Sequence, residues 1–268
     1  MTRDPESNSA MTMIATTIIV IALLVRLVVA LSTPPFASPD EFPHYWVAAE
    51  IAQSGGLPTS RPEWPAYEAF QPPLYYLLAG TVLAGGKGAG IPIVAESDPE
   101  TILAITELPP SLLLLRLLSV AIAAGTLLLL RRLLDKLPLS RIVRLSTLAF
   151  VAFLPTFIGT TATVNNDGLT VLFATTALLY LLPQSGRPRH LVLGGLFVGL
   201  ALLTKLSAVV LLPLLALLIL LPATAHPITI RLRNLALLIV GILPGLLLLV
   251  TRNLATYGTI TATMPGVE

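Results

Sequence analysis

Asp40 and Glu41 stand side by side in the stretch PDEFPHYWVAAE, with His44 one helical turn beyond Asp40. A carboxylate at such a position can accept a proton from a hydroxyl. Residues four apart share a helix face, so Asp40 and His44 are placed to pair. Gln71 and Tyr75 in QPPLYY add neutral hydrogen-bonding groups, and Asn166 and Asp167 in NNDG add an amide and a further carboxylate. Arg26, Arg116, Lys205 and Arg252 complete the set. Grouped cations suit an anionic ligand such as phosphate, to which arginine offers a two-pronged fork. Arg26 and Arg116 lie inside apolar runs, where a charge costs about 2.5–3.5 kcal/mol on insertion scales and faces a cavity or a partner. Each group also has a plain structural use. Pro39 suits the first position of a helix, and Asp40 and Glu41 would then meet the positive end of its dipole. Asn-Asp-Gly makes turns, and a buried arginine can snorkel or pair with an acid.

What must hold these groups in place is a helical membrane scaffold. Of 268 residues, 55% are hydrophobic and 11% charged, where a soluble domain carries about 25% charge. Apolar runs of near-spanning length recur throughout, which favours a helical bundle over a barrel. The net charge is only +2, and the basic residues sit in short loops between apolar runs, so no nucleic-acid partner is indicated. The absence of cysteine excludes disulfides and thiolate chemistry. The apolar stretch from Met11 to Leu31 exceeds the roughly 7–15 residues of a signal-peptide core, and the preceding MTRDPESNS is mixed in charge, so a retained first span is expected.

The candidate spans are 11–31, 111–130, 142–161, 168–183, 190–204, 206–222 and 235–250. The apolar piece 72–86 is too short to cross: about 13 residues of helix cover about 20 Å against a hydrocarbon core of roughly 30 Å. Counting positive charge agrees. With 72–86 outside and the N-terminus cytoplasmic, Arg3, Arg131, Arg132, Lys136, Arg141, Arg144, Arg187, Arg189, Arg231 and Arg233 fall inside, ten against the four of Arg61, Lys87, Lys205 and Arg252. The loops 183–190 and 223–234 are ordinary inner connections. The expected fold is an all-α polytopic membrane protein with about seven transmembrane helices. Residues 32–110 form a large first external loop with amphipathic surface helices, one of them from Glu41 to Ile51. All 268 residues make one transmembrane module, and every polar motif falls at its external face, at the plasma membrane.

The order of motifs is informative. PDEFPHY is followed by GLP, QPPLYYLL, LRLLSV leading to RRLL, NNDGL, GLALLTK and RNLATYG. This series resembles the polyprenyl-phosphate-sugar-dependent glycosyltransferases of the GT-C superfamily, which include the protein O-mannosyltransferases and the aminoarabinose transferases of lipid A. The resemblance runs from about residue 12 to 260. It implies a catalytic acid in the first external loop, matched here by Asp40 with Glu41 beside it, and an active site framed by QPPLYY. It also implies that Asn166, Asp167 and Lys205 lie near the lipid-linked donor or its phosphate. A divalent cation is possible at a carboxylate pair, and the resemblance leaves that open. Family members continue past RNLATYG into further spans or a soluble domain, so the chain is expected to lack such C-terminal parts.

Three readings compete, the third being a structural membrane subunit whose acidic loop binds a partner. In the first, the chain transfers a sugar from a polyprenyl-phosphate donor to an acceptor hydroxyl (on protein, lipid or glycan) with inversion, and Asp40 acts as general base. In the second, it is a non-enzymatic lipid-phosphate carrier or flippase that uses the same cations without a base. A transporter needs polar residues at mid-membrane depth; here the middles of the spans are almost wholly aliphatic, which favours one-sided chemistry.

Overall fold

The computed structural model describes residues 5–94, 98–182, 187–220 and 227–262, and every regular element among them is helical. Arg3, parts of the two inner loops (183–186 and 221–226) and the terminal MPGVE lie outside the described residues. Among the described residues, three helices are long and apolar enough to cross a membrane: α1 (Pro5–Ser32) over Ser9–Ser32, α5 (Pro110–Lys136) and α11 (Ile228–Tyr257). The run 142–161 forms two helices, α6 (Arg141–Ala152) and α7 (Pro155–Ala162), bent by 52°; taken as one broken span they make a fourth. The bend has a local cause. A proline disfavours helix at the residue before it and lacks the N–H that would bond the preceding turn. The Ala152 carbonyl at this break accepts instead from Arg26, at 2.9 Å.

The remaining apolar runs are shorter. α8 (Asp167–Leu181) and α9 (Pro188–Leu202) have 15 residues each, about 22 Å. A 3-10 turn (Leu206–Val210) then leads into α10 (Leu211–Leu220). The chain turns between α9 and that 3-10 segment, at Leu203–Lys205, so 190–222 is not one long helix. α9 and α11 touch backbone to backbone. A Cβ on Gly195 would lie 2.2 Å from the Leu238 carbonyl oxygen, and one on Gly245 2.4 Å from that of Gly199. Small residues of this kind let helices approach closely where lipid gives no hydrophobic drive for association.

Residues 32–110 fold onto this bundle. α2 (Glu41–Ser54) was expected to lie flat on the membrane with one apolar face. It is instead enclosed on nearly all sides, with Phe42, His44, Tyr45, Val47, Ala48, Ala49 and Ile51 buried. The reason is tertiary packing. α3 (Leu74–Gly88) lies against one side, so close that a Cβ on Gly80 would meet Ile51 at 2.7 Å. A 3-10 turn (Ala66–Phe70) and the rings of Phe36 and Trp64 cover another, with Trp64 stacked on Phe42 at 4.8 Å. The start of α3 is tied to the end of α9, the Leu74 N–H donating to the Leu203 carbonyl at 2.9 Å. A short helix α4 (Pro99–Leu103), capped by Asp98, precedes α5.

Candidate active site

The site is assembled around the junction of α1 and α2, and a buried ion pair fixes that junction. The Arg116 guanidinium donates two parallel bonds to Glu41, at 2.9 and 2.7 Å, and both side chains are fully enclosed. Arg116 also donates to the carbonyls of Ala30, Thr33 and Pro34, where α1 ends. Glu41 in turn accepts the Val164 N–H just before α8. One interaction therefore joins α1, α2, α5 and the α7–α8 connection. Glu41 was expected beside Asp40 in the chemistry and Arg116 at the ligand; this geometry engages both side chains in the scaffold.

Asp40 is oriented the other way. It occupies the position before α2 in a left-handed backbone conformation (φ 56°), which Asp tolerates better than most residues. Its carboxylate does not cap α2. It is exposed and accepts from the Tyr67 hydroxyl at 2.8 Å. Burial and the Asp40 charge push the Tyr67 phenol well up, so it stays a donor. Asp40 and Tyr67 line an open cavity of about 300 Å³ whose other walls include Phe36, Ser38, Trp64, Pro99 and Leu103.

Behind Asp40 lies a chain of polar groups. His44 does not pair with Asp40: its Nδ1 meets the Tyr76 hydroxyl at 2.8 Å, with the two rings stacked. Burial, then the positive field of Lys205, lowers the His44 pKa to about 4 against the opposing pull of Asp40 and Asp167, so the ring is neutral near pH 7. The Tyr76 hydroxyl also lies near Glu68, a buried acid on the Ala66–Phe70 turn. Glu68 accepts from the Gln71 amide, and Gln71 accepts from the buried Asn166 amide, which also reaches the Thr204 carbonyl. Lys205 pairs with Asp167 at 2.7 Å, half exposed. Asp40 and Lys205 thus share one neighbourhood, since the fields of both act on His44 and Glu68.

The other arginines act on backbone. Arg252 donates to the carbonyls of Ala69 and Phe70 at 2.7 and 3.0 Å and stacks on Tyr257, which pins the turn that carries Glu68. Arg26, expected at a ligand, is fully buried against the α6–α7 break, bonded to Ala22, Ala152 and Thr161 and lying over Phe157. Tyr75, also expected at a ligand, is fully buried in the core; its neighbour Tyr76 is the one that reaches the polar chain. Among the described residues no three His, Asp or Glu side chains converge as metal ligands, and with Glu41 held by Arg116 the adjacent carboxylates do not fit a divalent ion. Glu68, Tyr67 and Tyr76 escape a reading of the sequence. Their one visible signal is an acid three residues before Gln71 in EAFQPPLYY.

An all-helical membrane bundle with a polar cluster gathered at one end of its helices is the architecture of the GT-C membrane glycosyltransferases. Residues 104–253, just over half the chain, match the family described as dolichyl-phosphate-mannose-protein mannosyltransferase, and the chain belongs to that family. Its fold is similar to the Saccharomyces cerevisiae protein O-mannosyltransferase Pmt1–Pmt2 complex bound to the sugar donor. The TM-score is 0.66 at 17% identity, over 94% of this chain and 34% of that one. The chain therefore spans about a third of the length of that relative. No curated protein matches it.

Proposed function

We propose that the chain transfers a sugar from a polyprenyl-phosphate donor to an acceptor hydroxyl with inversion, Asp40 acting as general base. The observation that carries this reading is the Asp40 carboxylate itself: exposed on an open cavity, oriented by Tyr67, and with no basic group within ion-pair reach among the described residues. An acceptor entering past Trp64 and Tyr67 would bring its hydroxyl to Asp40, which takes the proton as the oxygen attacks the anomeric carbon. The developing positive charge on the sugar is oxocarbenium-like. The departing lipid phosphate gains charge, and Lys205, part-exposed and next in sequence to Thr204, whose carbonyl Asn166 meets, would stabilise it. Glu41, Arg116, Arg26 and Arg252 position this site without touching substrate, and His44 and Gln71 orient it through Tyr76 and Glu68.

The topology that serves this chemistry has seven crossings: α1, α5, the bent α6–α7 pair, α8, α9, α10 and α11, with the N-terminus cytoplasmic and residues 32–110 outside. The short helices α8 and α9 end at Asp167 and Leu202, which recesses the mouth to where a lipid-borne phosphate can reach it. The family's description makes mannose the first sugar to try.

The test is transfer itself. Proteoliposomes holding the full chain are given labelled polyprenyl-phosphate sugars, mannose first, with hydroxyl acceptors of protein, lipid and glycan type. Label moving to an acceptor with an inverted anomeric centre supports the reading. Net retention of configuration rejects the single displacement, and no transfer from any lipid-linked sugar rejects the function.

A further inference from the structure

Among the described residues, Glu68 is the buried acid of this cluster that has no Lys or Arg partner. Glu41 has Arg116 and Asp167 has Lys205, each at 2.7 Å. The side chain of Glu68 is 7% exposed, and among the described residues the one basic atom within 4 Å is His44 Nδ1 at 3.9 Å, on a ring that is neutral near pH 7. Its hydrogen bond comes from the Gln71 amide, and the Tyr76 hydroxyl lies nearby. A buried carboxylate left without a compensating charge takes up a proton instead, and the Gln71 amide can still donate to the carbonyl oxygen of the neutral acid.

We propose that Glu68 is a charge gate on the donor, a carboxyl that must be neutral while the lipid phosphate is seated, so that donor affinity falls as it ionises. The inference rests on the glycosyl-transfer reading and adds a regulation to it. The groups facing Glu68 are Asp40 and His44 of the α2 segment, Tyr67 on its own turn, Tyr76 of α3 and Lys205 after α9. Burial, then Asp40, raises its pKa to about 7, and Gln71, Lys205 and Tyr76 offset part of that rise. Since the charge of Lys205 is felt at Glu68, an anion docked on Lys205 is felt there with the opposite sign. Donor binding then carries a proton with it above neutral pH. The donor is a phosphodiester whose single charge does not titrate in this range, so a pH dependence reports the protein.

The experiment measures the Kd of a short-chain polyprenyl-phosphate mannose for the full chain in nanodiscs without acceptor, between about pH 6 and 9, for wild type and Glu68→Gln. The proposal predicts a wild-type Kd that rises above about pH 7 by up to about tenfold per pH unit, and a Glu68→Gln Kd that stays flat near the low-pH wild-type value. Infrared spectra should also show a protonated-carboxyl band that titrates near neutral pH in wild type and is missing from the variant. Superimposable Kd profiles, or no titrating band, overturn the proposal. If the variant does not assemble, a wild-type Kd independent of pH overturns it alone. Wild-type protein that binds no probe at any pH, while its band still titrates, refutes the donor and so this gate, and traces the failure to the functional reading rather than to the state of Glu68.

Discussion

Replacing Arg116 by Met should uncouple the scaffold from the site. The substitution keeps length and apolar volume but removes two charge-assisted bonds to Glu41 and three donations to the carbonyls of Ala30, Thr33 and Pro34. Glu41 would remain fully enclosed with the Val164 N–H as its partner. Breaking a buried pair from one side costs about 3–5 kcal/mol, because the surviving charge is stranded. Charge-assisted bonds at about 1.5–3 kcal/mol each give a similar figure for the two that are lost. The double variant Glu41→Gln/Arg116→Met strands no charge, so it should lose less than the sum of the single variants, by a coupling of about 1–3 kcal/mol. The assay is a double-mutant cycle of unfolding in detergent, followed by helical signal and protease resistance. Transfer activity should fall in step, since the same contacts hold the turn that presents Asp40. Additive losses, or a single-variant cost below about 1 kcal/mol, would refute the argument that this pair organises the junction.

Three further outcomes follow from other parts of the fold. Gly195→Ala should push α9 off α11, since its Cβ would lie 2.2 Å from the Leu238 carbonyl; overpacking of this kind costs about 1–3 kcal/mol or more, and unchanged thermal stability would contradict the backbone contact. The pH dependence of stability should shift in Glu68→Gln. Glu68 goes from 4.5 unfolded to about 7 folded, so its contribution falls as pH rises through that window. His44 goes from 6.5 to about 4, so its contribution rises with pH between those values. The two oppose each other in wild type. With Glu68 replaced, stability should climb with pH between about 4.5 and 6.5, and a profile parallel to wild type would contradict the assignment. Finally, Asn165→Cys in this cysteine-free chain should react with an impermeant thiol reagent applied outside intact cells. Reaction from the cytoplasmic side alone would invert the topology.

How much of this could be read in the sequence depends on the range of the interaction. Apolar runs and the order of short motifs are local, and they indicated an all-helical membrane protein and its family. Breaks inside the runs are less visible, because hydropathy does not register that Pro155 ends one helix and bends the next. Partnerships across the chain are not visible at all. Glu41 and Arg116 are 75 residues apart, so nothing local to the acid beside Asp40 points to its partner. Glu68 sits in a proline-bounded stretch with no periodicity, where an acid reads as surface. It is buried because Arg252, from the far end of α11, grips the carbonyls of Ala69 and Phe70. The spacing of Asp40 and His44 was right for a pair, but the left-handed backbone at Asp40 turns its carboxylate to Tyr67 instead.

The central claim is that Asp40 is the base, and Asp40→Asn tests it most directly. The amide keeps the shape and can still accept from Tyr67, but it cannot take a proton. Measured side by side in proteoliposomes, transfer from the lipid-linked sugar should fall by about a hundredfold or more, while binding of the lipid donor stays close to wild type. Transfer that persists at the wild-type rate would contradict the account.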